Sequence, residues 1–435
     1  MDGTPESVPM YPYEIATRLS DLGRLDYSAQ PVMESTRDDL DPLERDRLRK
    51  IIASYQSSDR NLLELSDADL EKSLRLVVSV NGELTPTLAG LLLIGNEEAL
   101  QRLVPTNEAA FQVLVGPDIK VNQTYRGPLL KTIEQIAESF KPWNPGTELT
   151  VGLFSSVVPE FDERAFREAL VNAFGHRDYS LLGRVRVLVD DAGLTIANPG
   201  GFVEGINVHN LLTAEPRGRN PCLMDALKRT GLAERTGRGI DRIFEGALNY
   251  GSPLPDYSRS NRRGVSVLLP RSVPDKAFVE LLAEERERSG KSMSLDGLLI
   301  LDKLKSERRC GFDVLSGSLD MSDQRLRTVL GQLTEAGLVE SAGVGARRTY
   351  MLGAKVYRRS GRAMEYVRQS DIDRVRYPEL IIELMHEQKS VSKNDVMELL
   401  HLEENQAYYQ LRKLVLEGRA KKVGSGRNVR YAAVR

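Results

Sequence analysis

Three polar side chains recur along one helical face in the middle of the chain. Glu168, Asn172 and His176 are spaced four residues apart in the predicted helix Glu163–Arg177, so they form a stripe separate from the apolar stripe that faces the core. The Asn172 amide oxygen is a hard ligand that suits Mg²⁺, and the Glu168 carboxylate can orient a water molecule or complete the shell of the ion. The stripe predicts a Mg²⁺-nucleotide site; the alternative is a solvated helix face.

Two glycine-rich turns could complete such a site. Asn198-Pro199-Gly200-Gly201 ends a predicted hairpin, and its paired glycines would let the backbone come close to a flat ligand. Gly237-Arg238-Gly239 opens the predicted helix Asp241–Leu248, where free N–H groups and the positive end of the helix dipole favour phosphate. Each turn, taken alone, is more often only a tight turn or a helix cap.

Four motifs in order resemble those of the ATP-binding proteins labelled RecG-related helicases, which carry a GHKL-type (Bergerat) ATPase module. The motifs are Glu168–Tyr179, Asn198–Gly201, Arg219–Pro221 and Glu234–Ile240. The resemblance implies an α/β sandwich that binds ATP and Mg²⁺. It does not imply helicase activity, because the chain contains no Gly-x4-Gly-Lys-Ser/Thr motif.

The resemblance also assigns roles to residues of this sequence. Glu168 would be the catalytic carboxylate and Asn172 the Mg²⁺ ligand, below a lid formed by residues 202–236. The remaining nucleotide-binding residues would be His176, then Asn198, Gly200 and Gly201 on the adenine side, and Gly237, Arg238 and Gly239 at the phosphates. Asn198 departs from the pattern, since GHKL proteins usually have Asp there, and residues 1–159 resemble only the trailing part of a Schlafen/AlbA-like domain.

The last third of the chain repeats one pattern twice: three short helices followed by a basic hairpin. In the first copy, the predicted helices are Leu298–Lys305, Phe312–Leu319 and Ser322–Ala336. This order resembles the winged helix-turn-helix family. Polar side chains that face away from the apolar stripe of the third helix can donate to phosphates and base edges in a major groove. The candidate DNA contacts of the first copy are Gln324, Arg325, Arg327, Arg347 and Arg348.

The second copy has a more basic hairpin than the first. Its predicted helices are Glu379–Gln388, Ser392–Leu400 and Glu403–Leu416. Its candidate DNA contacts are Asn405, Gln406, Tyr408, Arg412, Lys421, Lys422, Arg427 and Arg430. The acidic Glu403 and Glu404 repel phosphate, so they favour the alternative that these helices serve in dimerisation or protein docking. Basic hairpins favour DNA.

Length and composition limit the class of protein. The 435 residues are too many for one hydrophobic core, and the net charge of -2 argues against a protein that is basic throughout. Two distant cysteines, no secretory signal and no long apolar run indicate a cytoplasmic protein that does not enter a membrane. The expected domains are an N-terminal α/β region (1–159), the ATP-binding module (160–272), a linker helix (273–295) and the two copies (296–360 and 372–435).

Together these observations predict a multidomain α/β (α+β) protein: a GHKL-like α/β sandwich followed by tandem winged helix-turn-helix domains. We expect an ATP-responsive transcriptional regulator that binds double-stranded DNA as a homodimer. The alternative is a Mg²⁺-dependent GHKL-type ATPase that acts on DNA or on a protein partner in defence or repair. A third possibility is an inactive nucleotide fold that serves as a dimer scaffold.

Overall fold

The computed structural model describes residues 24–151, 154–343, 348–359, 377–400, 402–424 and 429–434, together with 15, 18–20, 22 and 345. Arg347 and Arg427, two of the predicted DNA contacts, lie outside the described residues. The chain divides into two compact units, Met1–Asp275 and Lys276–Arg435. Within the described part, no helix combines the length and apolar character needed to cross a membrane.

The first unit contains eight described α-helices and nine described strands. Its helices are α1 (Pro42–Ser54), α2 (Asp67–Ser73), α3 (Leu88–Ile94), α4 (Glu97–Leu103), α5 (Leu129–Phe140), α6 (Glu163–Gly175), α7 (Pro221–Arg229) and α8 (Gly239–Asn249). Its strands are β1 (Val77–Val80), β2 (Glu83–Pro86), β3 (Ala109–Val115), β4 (Asp118–Tyr125), β5 (Gly146–Val151), β6 (Phe154–Pro159), β7 (Val185–Asp190), β8 (Gly193–Pro199) and β9 (Gly264–Pro270).

A five-stranded sheet organises the first unit, in the order β4-β3-β7-β8-β9. Neighbouring strands run antiparallel, except that β3 and β7 run parallel. The predicted hairpin Asp190–Gly193 is confirmed, because Asp190 pairs with Gly193 at the end of the β7–β8 ladder. β3 and β4 precede residue 160, so the sheet runs across the boundary expected between 1–159 and 160–272. Strand pairing between distant segments leaves no local signal in the sequence.

Helix α6 lies at the centre of the helical layer. It packs on β7 and β8 of the sheet, and helices α5, α7 and α8 pack against it. It begins after Asp162, whose side chain accepts a hydrogen bond from the Ala165 N–H at 2.8 Å and so caps the helix. Phe166 stacks on Phe140 of α5, with ring centroids 4.2 Å apart. The helix ends at Gly175, two residues before the predicted end.

The second unit contains the two copies predicted from the sequence. Its helices are α9 (Lys276–Ser289), α10 (Leu295–Glu307), α11 (Phe312–Ser318), α12 (Asp323–Glu335), α13 (Ala354–Arg359), α14 (Tyr377–Gln388), α15 (Lys393–Leu400) and α16 (Glu404–Leu416). Its strands are β10 (Arg309–Gly311), β11 (Val339–Ala342), β12 (Thr349–Leu352), β13 (Ala420–Val423) and β14 (Arg430–Ala433).

Each copy has its own hydrophobic core and the same order of elements. In the first copy the hairpin β11–β12 gains a third strand, because β10, between the first two helices, pairs with β12. In the second copy Val391 takes the place of β10 and forms a two-bond bridge with Tyr431 of the hairpin β13–β14. The helix expected as a linker packs on the first copy as an additional helix, since the Leu281 side chain of α9 is buried in its core.

Candidate nucleotide site and nucleic-acid surfaces

The Glu168 carboxylate is buried on the side of α6 that faces α8. Only 4% of the residue is exposed, and burial raises its pKa above the usual range, while a hydrogen bond from the Glu234 backbone N–H opposes that shift. Asn172 follows one turn later on the same helix and is partly exposed. The predicted carboxylate–amide pair therefore lies at one place, with its carboxylate shielded from water.

Helix α8 begins directly over this pair. A Cβ built on Gly239 would stand closer to Glu168 Oε1 than the 3.0 Å that real Cβ atoms respect, and 3.4 Å from the Asn172 Nδ2. Gly237 has a φ of +82°, and a Cβ there would meet Pro216 Cγ at 2.6 Å. The segment Glu234–Gly239, called the glycine turn below, is thus held between Pro216 and the carboxylate–amide pair.

Glu234 fills the concave side of the glycine turn with its own carboxylate. The carboxylate accepts hydrogen bonds from the Thr236 N–H at 2.7 Å, from the Arg238 N–H at 2.9 Å and from the Thr236 hydroxyl at 2.9 Å. Burial opposes the charged form of Glu234, but the hydrogen bonds from Arg238 and Thr236 outweigh it, so the pKa of this carboxyl is lowered. Sequence reasoning placed Glu234 in a motif without giving it a role.

Arg238, predicted to contact phosphate, extends along α8. Its guanidinium pairs with Asp241 at 3.0 Å and with Glu245 at 3.4 Å, and 60% of its side chain is exposed. Within α8, the first-turn N–H groups begin at Gly239, and the N-cap Arg238 offers no side-chain cap to them. The positive end of this helix therefore points toward the carboxylate–amide pair.

His176 lies at the other end of α6, where it is the C-cap residue. A Cβ on Gly218 would stand 3.1 Å from its Cε1, so the ring packs against the segment that precedes α7. Burial, with smaller contributions from the Lys228 and Arg219 charges, lowers the pKa of His176 to about 4. The imidazole is neutral at neutral pH, so it cannot supply positive charge to a phosphate.

The motif Asn198–Gly201 packs closely against neighbouring protein segments. A Cβ on Gly200 would meet Asp178 Cβ at 2.7 Å, and one on Gly201 would meet the Asn261 carbonyl oxygen at 2.6 Å. The Asn198 side chain is buried and donates to the Pro199 carbonyl oxygen at 3.1 Å. These residues thus join β8 to the loop after α6 in this conformation.

A buried polar network connects three of the sequence motifs. Arg219 Nη1 pairs with Asp178 at 3.1 Å, with each side chain 5% exposed, and Arg219 Nη2 donates to the Gly201 carbonyl oxygen at 3.3 Å. The Asn220 amide donates to the carbonyl oxygens of Gly175 and Arg177 at 3.0 and 2.7 Å. Three of the four motifs therefore clamp the end of α6 to β8 and α7. Asp178, Arg219 and Asn220 had no predicted role of their own, because burial and hydrogen-bond partners leave no local signal in the sequence.

The donor set at the start of α8 suits a phosphorylated ligand with Mg²⁺. A carboxylate and an amide stand one turn apart below a helix N-terminus, which combines oxygen ligands for the ion with N–H donors for an anion. Among the described residues, no group of three or more His, Cys, Asp or Glu side chains gathers into a metal site. Any Mg²⁺ here would therefore take its remaining ligands from the phosphate groups and water.

In the first copy, the predicted DNA contacts on α12 are partly engaged within the protein. Arg325 pairs with Asp296, and Arg327 lies over the Phe312 ring, 4.6 Å from its centroid, and pairs with Asp323 at 3.7 Å. Gln324 is exposed, and so is Arg348 before β12. The basic groups of α12 are thus balanced by nearby acids.

In the second copy, more of the predicted basic DNA contacts are unpaired than in the first. Arg412, Lys421 and Lys422 are exposed and make no ion pair within the described part of this copy. Gln406 is used to cap α16, since its side chain accepts from the Glu403 N–H at 3.1 Å, and Arg430 is held by Ser390 and Asp395.

The outer face of α16 carries further exposed side chains at helical spacing. They are Asn405, Tyr408, Tyr409, Arg412 and Leu416. Tyr408 and Tyr409 are 49% and 65% exposed. Helix α16 packs against strand β13 of the basic hairpin, so the stripe lies on the helix next to that hairpin.

Comparison with known proteins places two stretches of the chain. Residues 183–269, from just before β7 through β9, match the family described as "Putative ATP-dependent DNA helicase recG C-terminal". Residues 18–109 match the family described as "Domain of unknown function (DUF8451)". The first match begins after α6, so it includes both glycine motifs but not Glu168 or Asn172. No curated protein matches the sequence.

The chain is also similar in fold to a solved structure. The crystal structure of the DIP2311 protein from Corynebacterium diphtheriae matches it with a TM-score of 0.61 at 21% sequence identity. The similarity covers 94% of this chain and 70% of that chain. It supports a mixed α/β protein of several domains.

Proposed function

We propose that the chain is an ATP-responsive, DNA-binding transcriptional regulator. It combines a GHKL-type nucleotide module with two winged helix-turn-helix domains and acts as a homodimer in the cytoplasm. The observation that carries the nucleotide half is the approach of Gly239 to Glu168 and Asn172. It brings a helix N-terminus, a buried carboxylate and an amide to one point.

ATP is the ligand that best fits this combination. The similarity of residues 183–269 to a family described as ATP-dependent supports it, because that stretch supplies the glycine turn and the first turn of α8. The Asn172 amide would hold Mg²⁺, and Glu168 would orient a water molecule or complete the shell of the ion. When bound, the ion would neutralise phosphate charge; the chain's own residues would position the phosphates and exclude water.

Double-stranded DNA is the partner proposed for the second unit. Both copies have three helices and an antiparallel hairpin, with a strand or bridge between the first two helices, which is the order of a winged helix. The second copy is the better candidate for the main contact, because Arg412, Lys421 and Lys422 are unpaired there, whereas the α12 arginines pair with acids of their own copy.

The nucleotide site is also suited to a second activity, Mg²⁺-dependent ATP hydrolysis. The raised pKa of the buried Glu168 is the specific observation in its favour, since a carboxyl with a raised pKa is a better proton acceptor from water. Steady-state turnover distinguishes the two functions. Phosphate release well above background and abolished in Glu168→Gln would favour the ATPase, whereas tight binding without turnover would favour the regulator.

Equilibrium binding tests the proposal as a whole. We expect Mg-ATP to bind the full chain with one site per protomer and to change its affinity for duplex DNA. Asn172→Ala should weaken the binding of Mg-ATP more than the binding of ATP in the presence of EDTA, because the Asn172 amide is proposed to hold the Mg²⁺ ion. Calorimetry that shows no heat for Mg-ATP at any concentration would leave an inactive scaffold as the better explanation.

A further inference from the structure

We infer that the Glu234 carboxylate is a built-in competitor for phosphate, occupying the anion position of the glycine turn until a nucleotide displaces it. This inference rests on the proposed nucleotide function and deals with the regulation of that site. The ligand it concerns is the terminal phosphoryl group of a nucleoside triphosphate.

The donors around Glu234 are of the kinds that proteins use to bind phosphate. The Glu234 carboxylate accepts hydrogen bonds from two backbone N–H groups of the turn, those of Thr236 and Arg238. It also accepts one from the Thr236 hydroxyl, and all three distances are 2.7 to 2.9 Å. The Arg242 guanidinium lies 3.6 Å from it, and only 9% of the Glu234 side chain is exposed. Backbone N–H groups in a turn, a hydroxyl and a guanidinium form an anion site, and here the anion comes from the chain itself.

Glu234 also contacts the candidate catalytic carboxylate through its backbone. Its N–H donates to Glu168, while its side chain closes the turn whose last residue, Gly239, covers the same carboxylate. One residue therefore holds the glycine turn together and holds it down on Glu168. Moving the Glu234 side chain out would loosen the turn and open the space between α8 and Glu168 that a phosphate and its ion need.

A phosphoryl group can replace the carboxylate because it offers more to the same donors. It carries a larger negative charge and three acceptor oxygens, against two for a carboxylate. Replacing the Glu234 carboxylate is therefore favourable only for a ligand with a terminal phosphate. Adenosine has no phosphate to place there, so its affinity does not depend on the displacement. The apparent affinity for the phosphorylated ligand is the intrinsic affinity multiplied by the fraction of time that the Glu234 carboxylate leaves the anion position free.

The test compares binding of three ligands, Mg-ATP, Mg-tripolyphosphate and adenosine, to three full-length proteins. These are the wild type, Glu234→Gln and Glu245→Gln. The control Glu245 lies on α8 and pairs with Arg238 at 3.4 Å but accepts no hydrogen bond from the turn N–H groups. For Glu234→Gln we expect affinity for ATP and tripolyphosphate to rise roughly tenfold, as for a position that is free about one tenth of the time. Adenosine affinity should be unchanged. Glu245→Gln leaves Arg238 its pair with Asp241, so its affinity for Mg-ATP and tripolyphosphate should rise much less than that of Glu234→Gln.

The outcomes separate this inference from the proposed function. If the wild type binds Mg-ATP and Glu234→Gln binds it equally or more weakly, the competitor role is wrong and the nucleotide site stands. If neither protein binds any of the three ligands, both ideas fail together. Should Glu234→Gln not fold, Glu234→Asp provides the test. Its carboxylate is one methylene nearer the backbone and so fits the N–H groups of Thr236 and Arg238 less well. The affinity for tripolyphosphate should again rise, and an unchanged or weaker affinity would overturn the inference.

Discussion

Gly239 and Glu168 lie in direct contact, with the α carbon of the glycine over the carboxylate of the glutamate. A Cβ on residue 239 would stand closer than 3.0 Å to Oε1, so the two helices that carry these residues can approach this closely only with glycine at this position. The contact joins the start of α8 to the middle of α6, which are 71 residues apart in the chain. It places the positive end of one helix over the carboxylate–amide pair of the other.

Gly239→Ala should separate the two helices. The added methyl group has no space beside Glu168, so we expect a loss of about 1–3 kcal/mol in the free energy of unfolding and a weaker affinity for Mg-ATP. Gly331→Ala on α12 is the control, because a Cβ there meets nothing within 4 Å and should stabilise its helix by roughly 0.5–1 kcal/mol. Urea unfolding and calorimetry measure the two effects. If Gly239→Ala changed neither the free energy of unfolding nor the affinity for Mg-ATP, helices α6 and α8 would not be held together at this contact.

The buried pair Asp178–Arg219 should matter more for stability than for ligand binding. Replacing Asp178 with Asn leaves the arginine without a carboxylate in a site where each side chain is 5% exposed, so we expect a cost of about 3–5 kcal/mol. Arg238→Ala removes a side chain that is 60% exposed from its pair with Asp241 and should cost less than about 1 kcal/mol. Both values come from urea denaturation. A cost for Asp178→Asn as small as that for Arg238→Ala would mean that the clamp contributes little.

His176 should make the first unit less stable in mild acid. Its folded pKa is about 4, below the usual 6.5, so the unfolded chain takes up a proton in this range while the folded chain does not. Stability is therefore full above pH 6.5 and is lost as the pH falls toward 4, by roughly 1–3 kcal/mol at the lower end. His176→Gln should flatten the difference in unfolding free energy between pH 7 and pH 5. Equal pH dependence in both proteins would argue that the ring is solvated.

The two copies should differ in their salt-dependent contribution to DNA binding. Each phosphate contact that is removed lowers the slope of log K against log salt by about one unit. We expect this change for Lys422→Ala and for Arg412→Ala in the second copy, whose side chains are exposed and unpaired within the described part of the chain. For Arg327→Ala, whose guanidinium covers the Phe312 ring, we expect a smaller change. Fluorescence anisotropy over a salt series measures the slope for each variant. A larger change in slope for Arg327→Ala than for Lys422→Ala and Arg412→Ala would assign the main contact to the first copy.

Elements with local signals were predictable from the sequence. The hairpin at Asp190–Gly193 follows from its turn residues, and the three helices of each copy follow from apolar spacing and N-caps such as Ser322. The predicted helix ends differ from the observed ones by at most three residues, and several coincide.

Long-range features were not predictable from local patterns. The parallel pairing of β3 with β7 joins segments that are far apart in the chain, and nothing in either segment specifies the partner. The sequence predicted that Glu168, Asn172 and Gly239 belong to one site, but only the fold shows that Gly239 touches Glu168. The internal use of Asp178, Arg219 and Glu234 depends on burial and on hydrogen-bond partners, which a single sequence does not specify.

The affinity of the full chain for duplex DNA, measured with and without saturating Mg-ATP, tests the account most directly. If the nucleotide acts through the contact between α6 and α8, Mg-ATP should change the dissociation constant of the protein for DNA. DNA should then change the dissociation constant for Mg-ATP by the same factor. A coupling of roughly fivefold or more is the expected result. Identical DNA affinity in both conditions, with Mg-ATP demonstrably bound, would contradict it.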